Sequence, residues 1–308
     1  MGATHGNAAT SPRLGTVLGF VSGKEKVLKA VYEMITVQRD YGNRSDRKLS
    51  RLKYTLDNMG VEAFKAELEK RCGFSLEPER PYQFTSRTDF YGWHQNHEGK
   101  WYYTAFVENG RVVDDEQHAL KTAFLEIAQL RKTNFRFTCN QNIIVADVTD
   151  EDKSEIHAIL DKYGVVESTE RSTPLRRESI ACVAFNTCAL ALAEAQRYLP
   201  GLISKIESLL DKYGLQDDNI SMRMTGCPNG CARPYAAEIA FIGTAYGYYN
   251  LQIGGDRTGT RLNKLYKESL NEEGIIQELD GLFKIYSGKR EAGETFGDFA
   301  KRAKWVEY

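Results

Sequence analysis

Two phrases in this chain, ACVAFNTC and TGCPNGC, hold the residues best suited to metal or redox chemistry. The first places Cys182 and Cys188 with five residues between them, and the second places Cys227 and Cys231 with three between. Thiolates are soft donors, and four of them converging from a loop and a strand end suit a cube-shaped 4Fe-4S cluster. Pro228, Asn229 and Gly230 form a turn between the last two, since Pro fixes one dihedral while Asn and Gly accept left-handed backbone. The neighbours Ala184, Thr187, Ala189, Gly226 and Ala232 are small, as close approach to a bulky inorganic group requires. Two alternatives compete: a chance set of buried thiols, and a zinc site. Zinc sites commonly use gaps of two to four residues and include His. Here one gap is five and none of the five His residues lies near a pair, which favours iron–sulfur.

The chain that must position these thiols has 308 residues, enough for two domains with sizeable cores. Its 41 Lys and Arg nearly balance 42 Asp and Glu, so a broad nucleic-acid footprint is not expected. No apolar run is long enough to predict a membrane span, and MGATHGNAATSPRLG lacks the features of a secretory signal. That opening reads as the middle of a loop, which points to a fragment or a truncated product, with His5 in a structural role. Six cysteines are too sparse for a disulfide scaffold, and their pairing points to metal in a reducing, cytoplasmic compartment.

Apolar spacing predicts three helices between Lys24 and Arg71, with breaks at Gly42, Gly60 and Gly73. PERPYQ and SRTDFYGW mark a boundary. KWYYTAFVENGRVVD predicts a hairpin turning at Glu108-Asn109-Gly110, followed by a helix in HALKTAFLEIAQLRK, a strand pair in FRFTCNQNIIVADV and a helix in EDKSEIHAILDKYG. The charged stretch STERSTPLRRES predicts a linker. Beyond it, ALALAEAQRYLPGLISKIESLLDKYG predicts a helix broken or kinked by Pro200. ISMRMT, AEIAFIGTA and YYNLQIGG predict strands, and the tail from Gly274 a helical end. Cys72 and Cys139 stand alone and are expected as small core residues.

At these phrases the chain resembles the nitrite/sulfite reductase superfamily, and within it the haemoprotein (beta) subunits of assimilatory sulfite reductases. ACVAFNTCALALAEAQRYLP, MRMTGCPNGCARP, YNLQIGGDRTGTRL, REAGETFGDF, RDYGNRSDRKLSRLKYTL and FRFTCNQN carry the likeness over almost the whole chain. The resemblance implies an α+β fold: a remainder of the first sirohaem-domain repeat over 1–75, a ferredoxin-like half-domain over 76–165, and a domain binding the 4Fe-4S cluster and sirohaem over 175–308. It implies that Cys182, Cys188, Cys227 and Cys231 hold the cluster, and that Cys231 is also the axial ligand of the sirohaem iron. It implies Arg51, Lys53, Gln141 and Asn229 as contacts of the macrocycle, with Arg44, Arg47 and Lys48 in the same basic run. Arg136 is a strand residue that either reaches a carboxylate or faces water.

The implied reaction is six-electron reduction of sulfite to sulfide in sulfate assimilation and cysteine biosynthesis. Its electrons would come from an NADPH-oxidising flavoprotein subunit or from ferredoxin. Members of the family are nearly twice as long, so a lone chain is expected to carry an incomplete active site until an N-terminal half-chain completes it. A catalytically incomplete iron–sulfur electron carrier, and a nitrite reductase of the same superfamily, remain the alternatives.

Overall fold

The computed structural model describes residues 12–116 and 118–308, so His5 lies outside the described residues. Contacts divide the chain into two units, Met1–Thr85 and Ser86–Tyr308. The fold is α+β.

Unit 1 is helical: α1 Lys24–Tyr41, α2 Leu52–Met59 and α3 Val61–Cys72, with a 3-10 turn at Arg47–Leu49. Asp46 opens that turn by accepting from the Lys48 backbone N–H at 2.9 Å, an Asx cap that satisfies an orphan donor. Ala30, Val37, Phe64, Leu68 and Cys72 form the core between α1 and α3. The core role expected of Cys72 is therefore observed.

Unit 2 begins with a four-stranded antiparallel sheet in the order β1 Gly92–Gln95, β2 Trp101–Ala105, β4 Ile143–Val148, β3 Asn134–Phe137. The helices α4 Leu120–Leu130 and α5 Asp150–Lys162 supply Phe124, Ile127, Ile156 and Leu160 to a core with Tyr103, Val145 and Val148. The hairpin expected to turn at Glu108–Gly110 is corrected. β2 pairs with β1 through a turn at Asn96–Gly99, and Glu108–Gly110 is a 3-10 turn. The physical reason is capture of the chain beyond β2: Asn142 Oδ1 accepts the Val107 N–H at 2.9 Å and Asn109 Nδ2 donates to the Gln196 carbonyl at 3.2 Å.

The expected linker is also corrected, since it folds as α6 Val165–Arg171 and α7 Pro174–Arg177. Thr173 Oγ1 accepts the Arg176 N–H at 3.2 Å, and Pro174 occupies the first turn, where its missing N–H costs nothing. A five-stranded sheet follows: β5 Ser179–Ala181, β6 Met222–Thr225, β7 Ile239–Ala245, β8 Tyr248–Ile253 and β9 Lys264–Leu270, in that order. β5, β6 and β7 run parallel, while β7, β8 and β9 alternate antiparallel. α8 Leu199–Lys212, α9 Glu272–Lys289 and α10 Phe296–Arg302 complete the unit. Pro200 starts α8 rather than kinking it, and the residues before it form turns. Leu202, Ile206, Met222, Met224, Phe241, Leu251, Phe283 and Tyr286 share one core between α8, α9 and the sheet. Among the described residues no helix is long and apolar enough to cross a membrane.

Candidate metal centre

Parallel pairing explains how two sequence-distant cysteine loops come together. β5 and β6 lie side by side with Ala181 opposite Met224, so the chain leaves both strands at the same edge of the sheet. Carboxyl ends of adjacent parallel strands are where α/β sheets gather ligands. Cys182 is the first residue beyond β5, and its N–H still donates to the Met224 carbonyl at 3.1 Å. Gly226 and Cys227 follow β6 directly. The Gly226 N–H donates to Cys182 Sγ at 3.2 Å, tying the first cysteine pair to the loop of the second.

Each loop is folded tightly around this contact. The Cys188 N–H donates to the Ala184 carbonyl at 2.8 Å, closing a turn that brings Cys188 back toward Cys182. The Leu192 and Ala193 N–H groups both donate to the Gly226 carbonyl, at 2.8 and 3.0 Å. Only glycine fits at 226, because a Cβ there would lie 2.6 Å from the Ala193 carbonyl oxygen and 2.8 Å from Ala184 Cβ. In the second loop Gly230 takes φ +69°, a left-handed value, and its carbonyl accepts the Arg233 N–H at 2.9 Å.

Cys227 and Cys231 feel the other thiols. Burial, followed by the neighbouring Cys182 and Cys188 thiols, pushes Cys227 upward against a lowering bond from the Asn229 backbone. Cys231, exposed at the residue level, is pushed up by partial burial of its sulfur and by Cys182, Cys227 and Cys188. The cost that burial and these neighbours place on the Cys227 and Cys231 thiolates is relieved by a cationic centre. Among the described residues no set of three or more His, Cys, Asp or Glu side chains closes to the spacing of a single ion. Soft donors, glycine-tight loops and mutual proximity fit the cluster.

Gln141, in the turn between β3 and β4, joins this place. Its Nε2 donates to the Ala181 carbonyl at 2.8 Å, one residue before Cys182, while its buried Oε1 meets no partner among the described residues. Asn229 stands half-buried between Cys227 and Cys231. Arg51 and Lys53 lie in unit 1, where both line a cavity of about 380 Å³ together with Arg13, and burial lowers the Lys53 pKa. Arg44 donates to the Arg39 carbonyl. Arg136 donates to the Asp147 carboxylate at 2.9 and 3.0 Å on the exposed side of its sheet. Cys139 corrects an expectation: it is exposed, because the turn after β3 carries it out of the core.

Arg87, Arg223 and Arg233 were not singled out from the sequence, yet they brace this corner. Arg233 Nη2 donates to the Cys139 carbonyl at 2.6 Å, Arg223 Nη1 to the Arg233 carbonyl at 3.2 Å, and Arg87 Nη1 to the Ala236 carbonyl at 2.5 Å. They join the turn bearing Gln141 to the chain leaving Cys231. Burial first, then Arg87 and Arg233, push Arg223 down to about 8. The only sequence signal was an arginine inside an otherwise apolar strand, MRMT, which ordinary alternation assigns to solvent.

Residues 1–76 match the family described as nitrite and sulphite reductase 4Fe-4S domain, and residues 94–163 match the nitrite/sulfite reductase ferredoxin-like half domain. The four paired cysteines lie outside both stretches. The chain is 59% identical over 302 residues to the sulfite reductase (NADPH) hemoprotein beta-component of Leptospira biflexa, covering 98% of this chain and 54% of that protein. It is 50% identical over 303 residues to the protein of the same name in Geobacillus thermodenitrificans, covering 98% of this chain and 52% of that one. The chain thus spans about half the length of the curated relatives it matches. In fold it resembles the solved structure of the Mycobacterium tuberculosis NirA protein, with a TM-score of 0.79 at 24% identity, over 96% of this chain and 55% of that one.

Proposed function

The chain belongs to the nitrite and sulfite reductase family, and from that premise we propose that it is the C-terminal, cluster-bearing part of an assimilatory sulfite reductase haemoprotein. The observation that carries this reading is the bond from the Gly226 N–H to Cys182 Sγ, which unites the two cysteine loops at one sheet edge.

In this reading Cys182, Cys188, Cys227 and Cys231 would hold a 4Fe-4S cluster within a domain over 175–308, and Cys231 would also bind a sirohaem. When bound, these groups supply the redox chemistry that converts sulfite to sulfide. The chain's own residues bind and orient. The Gly226 N–H stabilises negative charge on Cys182 sulfur, a contact of the kind that tunes cluster potentials. Gln141, with its buried Oε1 unpartnered among the described residues, and Asn229 would help hold the macrocycle. Arg51 and Lys53, in unit 1, carry guanidinium and ammonium groups of the kind that pair with carboxylates.

The relatives' names, which print sulfite reductase and NADPH, support sulfite over nitrite and a donor fed by NADPH, which we read as a flavoprotein subunit, over ferredoxin. The free thiols suit a reducing compartment such as the cytoplasm. Half the relatives' length favours one further statement: alone, this chain is catalytically incomplete. Purified without oxygen together with the remaining half, it should show a Soret band and a red haem band and release sulfide from sulfite. Cys231→Ser should abolish coupling of haem to cluster. A colourless complex holding zinc, or unchanged sulfite reduction by the Cys231→Ser variant, would contradict the assignment.

A further inference from the structure

The four-stranded sheet sends one turn across to the cysteine loops. In TCNQN, residues 138–142, Thr138 Oγ1 accepts the Asn140 and Asn142 N–H groups at 3.1 and 3.2 Å. The Thr138 N–H donates to the Asn142 carbonyl at 3.0 Å, which closes the turn. From here the turn reaches both loops. Gln141 Nε2 donates to the Ala181 carbonyl at 2.8 Å, beside Cys182. Two residues earlier the Cys139 carbonyl accepts Arg233 Nη2 at 2.6 Å, and Arg233 stands two residues past Cys231. Asn140 Oδ1 accepts the same nitrogen at 3.4 Å.

Both ends of this crossing are bent. Gln141 takes φ +69° and Arg233 φ +57°, left-handed values that residues other than glycine keep only where their surroundings hold them. What holds Gln141 is Asp89, in the segment before β1. Its carboxylate accepts Thr138 Oγ1 at 2.6 Å, Asn142 Nδ2 at 2.7 Å and Asn140 Nδ2 at 3.2 Å, so it grips the turn on either side of Gln141. Charge-assisted bonds of this kind are strong, and a network whose members are all satisfied is rigid. Among the described residues, the hydrogen bonds of the Asp89 side chain go to this turn alone. Arg233 is held from the other side, where its carbonyl accepts Arg223 Nη1 at 3.2 Å.

We propose that the 138–142 turn is a strap that sets Cys231 in register with Cys182. Asp89 and Arg233 are its positioning residues: the first anchors the strap, and the second buckles it to the Cys231 loop. Each acts through the turn. The proposal rests on the reading that the four cysteines share one group.

The test is peptide-resolved hydrogen exchange on the full chain purified without oxygen, with iron counted on the same sample. Asp89→Asn keeps the shape of the side chain but turns an amide N–H toward groups that are themselves donors. It should speed exchange in the 227–233 peptide about tenfold, although Asp89 bonds only to the turn. Arg233→Gln should do the same, and Arg233→Lys should restore most of the protection. The double variant Asp89→Asn with Arg233→Gln should exceed the larger single effect only slightly, since both act through one turn. Exchange in β8 should stay as in the parent. If Asp89→Asn does not fold, Asn140→Ala, which removes an acceptor for Arg233 and a donor to Asp89, carries the same expectation. Iron should also leave Asp89→Asn for a chelator about tenfold faster than it leaves the parent. Unchanged exchange over 227–233, fully additive effects, or acceleration spread equally over β8 would overturn the proposal. So would unchanged iron release, or no recovery in Arg233→Lys. Coupled exchange in a chain that takes up no iron would instead contradict the functional reading and leave the strap standing.

Discussion

The two sheets of unit 2 differ in direction, and that difference explains why the thiols sit at one and not the other. In the four-stranded sheet every neighbour is antiparallel, so successive strand ends alternate between edges. In the five-stranded sheet β5 and β6 are parallel neighbours, and the segments that leave them, beginning at Cys182 and Gly226, emerge together. The second contrast is burial. All four residues of β6 and the first five of β7 are buried, whereas β3 is largely exposed and its Phe137 is 82% exposed. Of the described residues in unit 2, the buried charged ones, Glu178, Arg223 and Glu238, belong to the five-stranded part. A sheet covered on both faces can hold a loop pair rigidly; a sheet open on one face cannot do so equally well.

The contrast can be broken most forcefully at the centre of the covered sheet. Phe241→Ala, at a site with no exposure beside Met224 of β6, should cost about 3–5 kcal/mol in denaturant unfolding. Comparable cost in neither stability nor iron retention would mean that the core does not support the loops.

Next comes the buried carboxyl beneath the sheet. Glu238 accepts the Ser221 N–H at 2.9 Å and the Gly297 N–H at 3.0 Å, yet burial dominates and raises its pKa from 4.5 to about 7. Between those values the unfolded chain has lost the proton that the folded chain keeps, so stability falls as pH rises through that window. The fall is on the order of 3 kcal/mol and is complete above the folded value. Glu238→Gln should flatten the melting temperature between pH 5 and 8, relative to the parent protein, by removing that contribution. An unchanged slope would place the titration elsewhere.

Gly226→Ala should be felt at the loops themselves. The added Cβ meets the backbone oxygen of Ala193 and the side chain of Ala184, so a cost of about 1–3 kcal/mol is expected, with loss of bound iron. Full iron content in this variant would show that the loops have room the structure denies. The smallest effect belongs to the open sheet. Arg136→Ala removes an exposed ion pair with Asp147 and should change stability by about 0.5 kcal/mol or less in a thermal melt.

Much of the fold was legible in the residues. The periodicity of α1, α3, α4 and α5 and the apolar runs of β6, β7 and β8 gave their elements near the observed positions. What was missed involved partners distant in sequence. Nothing in ENGRVVD announces that Asn142, 35 residues past Val107, will hold the chain out of a hairpin. STPLRRES reads as charge, yet the Thr173-Pro174 pair is a helix start, and that signal was available. β9 was overlooked because an edge strand rich in Lys and Glu, KLYKESL, lacks the apolar alternation of an inner one. At the site, the spacing of each cysteine pair was plain from sequence, but the meeting of the pairs depends on parallel pairing that spacing does not encode. Arg223 stayed hidden because alternation in β6 assigns it to solvent, whereas both faces of that strand are covered.

The most direct measurement is a count of iron and acid-labile sulfide, with Mössbauer spectra, on protein purified without oxygen. It is repeated on Cys182→Ala with Cys188→Ala and, separately, on Cys227→Ala with Cys231→Ala. The account predicts one four-iron cluster per chain in the parent protein and none in either double variant, since both pairs hold the same group. Zinc in place of iron, or a cluster that survives the loss of one whole pair, would contradict it.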